Sequence, residues 1–230
     1  MKLVLFDIDG TLLLSDGAGR RAIHRALLEV FGSTGPRDYR FDGKTDPQIV
    51  RELMRLAGHG DAHIDAQMKR VFERYVGFLH EELKAPGYRP QALPGVPDLL
   101  DALESKANVI LGLLTGNLVE GANAKLESVG IDPARFRIGA FGSDHELRPQ
   151  LPGIARERTK QKLGIDVTGA AIIVIGDTPA DLTCGKSLGA QAIGVATGRY
   201  SMEELARHGP LAVFQDLSET DAVTRVILGP

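Results

Sequence analysis

The chain has 230 residues, of which 43% are hydrophobic, so it can bury a sizeable core as one large domain or as a core with an inserted module. Its 27 basic and 30 acidic side chains give a net charge of −3, which argues against a nucleic-acid-binding surface. The single cysteine, Cys184, excludes intrachain disulfides and a zinc–cysteine cluster, and without a membrane-spanning apolar stretch or a recognisable signal peptide we expect a cytoplasmic protein.

Two acids follow the first predicted strand. The segment VLFDIDGTLLL, residues 4–14, begins with an apolar run that is typical of a strand buried on both faces of a parallel sheet, and Asp7 and Asp9 come where that run ends. Side chains two residues apart on a strand point the same way, so the two carboxylates can converge on one ligand. Because neighbouring carboxylates repel each other, the pair indicates a bound cation or a reaction that uses both acids.

The next segment, residues 15–88, is predicted to be entirely helical. Apolar residues recur at helical spacing over residues 22–31, 49–56 and 61–83. No strand pattern interrupts the segment, and the turn-rich stretch APGYRPQALPGVP marks its end. We therefore expect a helical insertion directly after the first strand and its acids.

Beyond Pro97, strands and helices alternate along the chain. The strand patterns are NVILGLLTGN, FRIGAFG, AAIIVIGD, AQAIGVATG and LAVFQDL, and helical patterns lie between them. Such alternation implies right-handed crossovers and an α/β core with a doubly wound parallel sheet. We predict a core formed by residues 1–14 and 89–230, with residues 15–88 as an inserted all-helical domain.

Polar residues follow two further strands of the predicted sheet. Thr115, Gly116 and Asn117 end the second strand, and GDTPAD, which contains Asp177 and Asp181, ends the fourth. Ligands of open parallel sheets bind beyond the carboxyl ends of the strands, so we expect these residues to meet the two acids of the first strand. Carboxylates without His or Cys suit Mg²⁺, and a glycine N–H at the start of a helix can closely approach a phosphate.

Together these three segments resemble motifs of the haloacid dehalogenase superfamily of hydrolases. DIDGT is similar to its first motif, LLTGN to its second and GDTPAD to its fourth, in the same order along the chain. The helical insertion occupies the position of the helical cap domain in the branch of phosphoglycolate phosphatase and β-phosphoglucomutase. The third motif usually supplies a Lys; Arg148 before Pro149 fits it best, and Lys160 and Lys162 are alternatives.

The resemblance implies a phosphoryl-transfer mechanism. Asp7 would be the nucleophile that forms an aspartyl-phosphate, and Asp9 would be the general acid and base. Mg²⁺ would be held by Asp7, the backbone carbonyl of Asp9, Asp177 and Asp181, the last directly or through water. The phosphoryl group would be bound by Thr115, Gly116, Asn117 and Arg148.

The acid at position 9 favours phosphate esters as substrates. Dehalogenases of this superfamily that act on haloalkanoates lack it, because a halide leaving group needs no proton. FDGKTDPQI resembles a substrate-facing loop of the phosphoglycolate phosphatase branch, in which Lys44 would meet a carboxylate or hydroxyl; an ordinary surface turn is the alternative. We expect a phosphatase that acts on a small phosphorylated metabolite such as phosphoglycolate. A sugar-phosphate mutase, or a phospho-accepting receiver or binding protein without turnover, are the alternatives.

Overall fold

The computed structural model of the protein describes residues 1–229. Its strands are β1 (Lys2–Phe6), β2 (Leu13–Leu14), β3 (Gln91–Ala92), β4 (Val109–Leu114), β5 (Ile138–Ala140), β6 (Ile172–Gly176), β7 (Gln191–Val195) and β8 (Ala212–Phe214). Its helices are α1 (Ala18–Phe31), α2 (Asp46–Leu56), α3 (Asp61–Lys84), α4 (Val96–Glu104), α5 (Val119–Ser128), α6 (Leu151–Leu163), α7 (Pro179–Cys184), α8 (Met202–Ala206) and α9 (Thr220–Leu228). None of these helices has both the length and the apolar character needed to cross a membrane.

One parallel sheet of six strands forms the centre of the molecule, in the order β5-β4-β1-β6-β7-β8. The central strand, β1, pairs with β4 on one side and with β6 on the other. Val4 and Phe6 of β1 pack in a cluster with α4 and α9, whereas Leu3 and Leu5 pack in a second cluster with α6. Because alternate side chains of one strand contact opposite helical layers, the predicted doubly wound α/β sheet is confirmed.

Helices α1 to α3 share a hydrophobic cluster of their own. Ile23, Leu53 and Tyr75, one from each helix, are at most 1% exposed and belong to this cluster. Leu118, which directly precedes α5, packs into the same cluster and so joins it to the main sheet. The three helices therefore have the amphipathic pattern that the sequence predicted, with one face buried against the other two helices.

The chain enters and leaves these helices through a short antiparallel pair of strands. Leu13 of β2 pairs with Ala92 of β3, and Leu14 pairs with Gln91. This pair was not predicted, because two-residue strands are too short to show an alternating pattern. The pair holds the segment that leads into α1 next to the segment that leaves α3, beside the end of β1.

The loop before α2 lies directly on the carboxyl edge of the sheet. The Asp46 N–H donates to the Gly116 carbonyl at 2.7 Å, and the Thr45 hydroxyl donates to the Glu146 carbonyl at 2.6 Å. Arg51 of α2 also forms an ion pair with the Glu146 carboxylate at 2.8 Å. These contacts hold α1 to α3 over the strand ends at which the predicted site residues lie.

Candidate active site

A cavity of about 280 Å³ lies between the carboxyl edge of the sheet and helices α1 to α3. The predicted site residues that line it are Asp7, Asp9, Lys44, Thr115, Gly116, Asn117, Arg148 and Asp177. Asp181 does not line the cavity and is 1% exposed. The ends of β1, β4 and β6 thus meet at one cavity, as the sequence predicted.

Three carboxylates gather at this edge of the sheet. Asp7 follows β1, Asp177 follows β6, and Asp181 belongs to the first turn of α7. One oxygen from each lies within 4.8 Å of the others, and all three side chains are buried. The Asp9 carboxylate is not part of this group.

Arg148 is the cation nearest to these acids. Its Nη2 atom lies 3.0 Å from Asp7 Oδ1 and also contacts Asp181 Oδ1, and the residue is 4% exposed. The alternatives for the third motif lie elsewhere: Lys160 forms a surface ion pair with Asp166 at 3.4 Å, and Lys162 is exposed. Of the three candidates for the third motif, Arg148 is therefore the one that lies beside these acids.

Asp181 is fixed by the start of its own helix. Its Oδ2 atom accepts hydrogen bonds from the Thr178 backbone N–H at 3.0 Å and from the Thr178 hydroxyl at 2.6 Å. The Thr178 hydroxyl in turn accepts from the Asp181 N–H, which completes a capping box. With Arg148 on Oδ1, both oxygens of Asp181 are engaged. Asp7 and Asp177 are the acids with oxygens left for a ligand.

The three acids carry more negative charge than Arg148 neutralises. Burial, together with the charge of Asp181, raises the pKa of Asp7 to about 6 and that of Asp177 to about 9. The backbone at Gly10 and Gly198 packs directly against Asp177. A Cβ there would lie 2.5 or 1.7 Å from Asp177 Oδ2, so only glycine fits at these two positions. An oxygen-only donor set with excess negative charge fits a hard divalent cation.

The second acid of the first motif has different partners. Asp9 Oδ1 accepts a hydrogen bond from Ser15 at 2.9 Å, and Oδ2 accepts from Asn117 Nδ2 at 2.9 Å and from Lys125 Nζ at 2.6 Å. Although burial opposes ionisation of Asp9, Lys125 and these hydrogen bonds lower its pKa below the ordinary value. Asp9 is therefore ionised in the arrangement described.

Lys125 was missed in the sequence, although a signal was present. It lies in α5, three residues after the buried Ala122 and on the same helical face. Lysine on the buried face of an amphipathic helix requires a specific partner, because burying an unpaired ammonium is costly. Its position in the helical pattern would therefore have indicated a functional ion pair.

The TGN loop, residues 115–117, is ordered by its own hydrogen bonds. Asn117 Nδ2 donates to the Thr115 hydroxyl at 2.7 Å, and both side chains are buried. A Cβ at Gly116 would lie 2.1 Å from the Lys44 carbonyl oxygen, so glycine is needed here for close packing against the loop before α2. The Gly116 N–H donates to no acceptor within residues 1–229 and remains available to an anion.

Lys44 lies in the cavity wall with its ammonium already partnered. Its Nζ atom lies 2.5 Å from Glu52 of α2 and also contacts the Tyr39 hydroxyl. A second cation of this wall, Arg20 of α1, was not predicted; it donates to the Tyr39 carbonyl at 2.8 Å and stacks over Phe41. The wall opposite the sheet therefore presents two cations, of which Lys44 is already paired with Glu52.

Asp46 is a buried acid that the sequence reasoning also missed. It is the first residue of α2, it is 6% exposed, and its Oδ2 atom accepts from the Leu118 N–H at 2.9 Å. Burial raises its pKa to about 6, although Lys125 and the Leu118 hydrogen bond act in the opposite direction. Asp46 thus connects the loop before α2 to the start of α5. Its raised pKa means that ionising this carboxyl costs more free energy in the folded protein than in the unfolded chain.

We expect the unfolding free energy to fall as pH rises from about 4 to 6, with Asp46 contributing up to roughly 3 kcal/mol of that fall. The sign follows because the raised pKa favours the protonated folded form, so the stabilisation is present at low pH and is lost as Asp46 ionises. Urea unfolding at several pH values measures it. Asp46→Asn should flatten this pH dependence, whereas Asp98→Asn, at an exposed position of α4, should not. Equal slopes for native protein and Asp46→Asn would contradict the assignment.

Comparison with known proteins agrees with this geometry. A family model described as haloacid dehalogenase-like hydrolase matches residues 4–186. The phosphoglycolate phosphatase of Rhodospirillum rubrum is 30% identical over 222 residues, which cover 94% of this chain and 88% of that protein. Glycerol-1-phosphate phosphohydrolase 2 of Saccharomyces cerevisiae is 28% identical over 84% of this chain and 74% of its own. The crystal structure of a hydrolase from Pseudomonas syringae covers 99% of both chains with a TM-score of 0.73 at 23% identity. The chain therefore belongs to the haloacid dehalogenase-like hydrolases, as its three motifs predicted.

Proposed function

We propose that the protein is a Mg²⁺-dependent phosphatase that hydrolyses small phosphate monoesters through an aspartyl-phosphate on Asp7. The observation that carries this proposal is the contrast between two acids that are two residues apart. Asp7 lies among buried carboxylates beside Arg148, whereas Asp9 lies in a separate network with Lys125 and Asn117. Two such environments suit two tasks, attack on phosphorus and exchange of a proton.

The reaction proceeds in two steps. First, an Asp7 oxygen attacks phosphorus, the ester P–O bond breaks, and the leaving oxygen takes a proton from Asp9. Then a water oxygen attacks phosphorus, Asp9 takes a proton from that water, and the bond between phosphorus and Asp7 breaks. The products are an alcohol and inorganic phosphate, and both acids return to their initial states. The proton transfers are typically worth ~10²–10⁴ in rate.

The acid role of Asp9 requires a proton when substrate is bound. Lys125 favours the ionised form in the substrate-free site. An incoming phosphoryl group adds negative charge near Asp9 and raises its pKa, because a like charge disfavours the carboxylate. The protonated form is thus favoured when it is needed, and the ionised form suits the later step with water.

The metal ligands in this proposal are the carboxylates of Asp7 and Asp177 and the backbone carbonyl of Asp9. Because both oxygens of Asp181 already have protein partners, Asp181 acts through water or by fixing its neighbours. When bound, Mg²⁺ offsets the repulsion between an anionic nucleophile and an anionic substrate. Arg148 keeps Asp7 oriented in the same region.

The phosphoryl group is bound by donors that already surround the cavity. Arg148 Nε has no hydrogen-bond partner within residues 1–229, and the Gly116 N–H is also available. Thr115 offers a hydroxyl that Asn117 orients through its amide. Charged and neutral donors together can hold phosphoryl oxygens in line for attack, which accounts for a large part of catalysis in such reactions.

The cavity favours a small substrate with a second polar or anionic group. Its volume of about 280 Å³ is at the low end for ligand sites, and its far wall includes Arg20 and Lys44. A phosphorylated carboxylic acid of two or three carbons fits within this volume, and its carboxylate would lie near these two cations. Phosphoglycolate is our first candidate, in agreement with the name of the Rhodospirillum rubrum relative.

Residues 15–88 are proposed to act as a cap that opens and closes over a core formed by residues 1–14 and 89–230. The β2–β3 pair, at which both chain crossings meet, is the natural hinge. Closure would exclude bulk water from the site during the first step and so strengthen the electrostatic interactions with the phosphoryl group. Opening would admit substrate and release the alcohol.

We expect Asp7→Asn to reduce turnover of p-nitrophenyl phosphate by at least about 10³-fold and to abolish acid-stable phosphoprotein after rapid quenching, because the attacking oxygen is lost. Circular dichroism should show an unchanged fold, and the exposed Asp98→Asn variant should retain native rates. Substantial activity in Asp7→Asn would exclude it as the nucleophile. Phosphoprotein formed by the native protein without turnover would favour a receiver, and transfer back to a sugar phosphate would favour a mutase.

We expect Mg²⁺ to raise the unfolding temperature of the metal-free protein by several degrees at saturating concentration. The increase should be larger at pH 9 than at pH 6, because the burial-raised pKa of Asp177, about 9, makes protons compete with the cation. Thermal unfolding with and without Mg²⁺ measures this. Asp177→Asn should lose the effect and Asp98→Asn should keep it. An equal increase in Asp177→Asn would show that the cation binds elsewhere.

A further inference from the structure

Lys125 is a buried lysine that contacts Asp9, the acid and base of the proposed reaction. It belongs to α5, the helix that follows the TGN loop, and it is 4% exposed. Lysine side chains normally keep the ammonium in water, and removing the charge from water is costly without close partners. The position of Lys125 beside the cavity therefore needs an explanation beyond helix stability.

The ammonium of Lys125 connects two residues of the site. Its Nζ atom donates to Asp9 Oδ2 and to Asn117 Oδ1, both at 2.6 Å. Since an ammonium can only donate, it fixes the Asn117 amide with its oxygen towards Lys125. The Asn117 NH₂ group is then turned towards Asp9 Oδ2 and the Thr115 hydroxyl, at 2.9 and 2.7 Å.

The two oxygens of Asp9 are consequently not equivalent. Oδ2 has two donors, Lys125 and Asn117, whereas Oδ1 has one, the hydroxyl of Ser15. The Asp9 side chain is 38% exposed, so its own packing does not fix its orientation. The Lys125 ammonium also packs closely against α1, because a Cβ at Gly19 would lie 3.2 Å from Lys125 Nζ.

We propose that Lys125 is a positioning residue that holds the Asp9 carboxylate with Oδ1 towards the leaving-group oxygen of the substrate. The inference rests on the proposed function, in which Asp9 gives its proton to that oxygen. Lys125 acts on the reaction through Asp9. Without it, Oδ2 keeps only the Asn117 donor and Asn117 Oδ1 loses its own partner, so the carboxylate is held less firmly.

The test compares two substrates with different needs for a proton. Phosphoglycolate releases an alkoxide and depends on protonation by Asp9, whereas p-nitrophenyl phosphate releases a stable phenolate and depends on it little. We expect Lys125→Met to lower kcat/KM for phosphoglycolate by about 10²-fold and for p-nitrophenyl phosphate by less than tenfold. Lys125→Arg should recover most of the loss. Lys106→Met is the control. Lys106 is exposed between α4 and β4, so this variant should change neither rate.

An equal loss with both substrates would overturn the inference, because a merely structural lysine has no leaving-group preference. Asp9→Asn separates this inference from the proposed function. If Asp9→Asn is not selective between the substrates, the acid role of Asp9 fails; if it is selective and Lys125→Met is not, only the role of Lys125 fails. The double variant should be no slower than Asp9→Asn alone. If Lys125→Met does not fold, Lys125→Gln, which keeps a donor without charge, is compared in the same way.

Discussion

The arrangement of this protein depends on the repulsion between carboxylates that the parallel sheet brings to one edge. Asp7, Asp177 and Asp181 are all buried there, and a low-dielectric surrounding strengthens their repulsion. Arg148 offsets part of it through Asp7 and Asp181. The remaining negative charge near Asp177 is what a divalent cation would neutralise. Charge balance at this edge therefore explains the buried arginine and supports the cation of the proposed function.

A second cation separates the two acids of the first motif chemically. Asp7 shares Arg148 with other carboxylates, and its pKa is raised, whereas Asp9 is paired with Lys125 and its pKa is lowered. Residues that are two apart on one short segment thus acquire opposite pKa shifts. Burial and the neighbouring carboxylates raise the pKa of Asp7 against the opposing charge of Arg148, whereas Lys125 of α5 and the hydrogen bonds to Asp9 outweigh burial there.

The sequence predicted the parts of this structure that depend on local patterns. Apolar runs identified the strands, helical spacing identified the long helices, and polar strand ends identified the acids and the TGN loop. The interactions that it did not predict join segments distant along the chain: Lys125 with Asp9, Asp46 with Leu118, and the β2–β3 pair. Even Gly116, which was interpreted as an anion donor, also has a packing reason that only the position of Lys44 explains.

Two glycines show how closely the helices over the site approach the reacting groups. A side chain at Gly116 would collide with the Lys44 carbonyl, and one at Gly19 would press on the ammonium of Lys125. Contact at both positions means that the cavity below α1 to α3 has little freedom to enlarge while these helices stay in place. Moving these helices away from the sheet would also break the Asp46 hydrogen bond to Leu118. In the proposed function, the contacts that bury Lys125 therefore also favour a small leaving group.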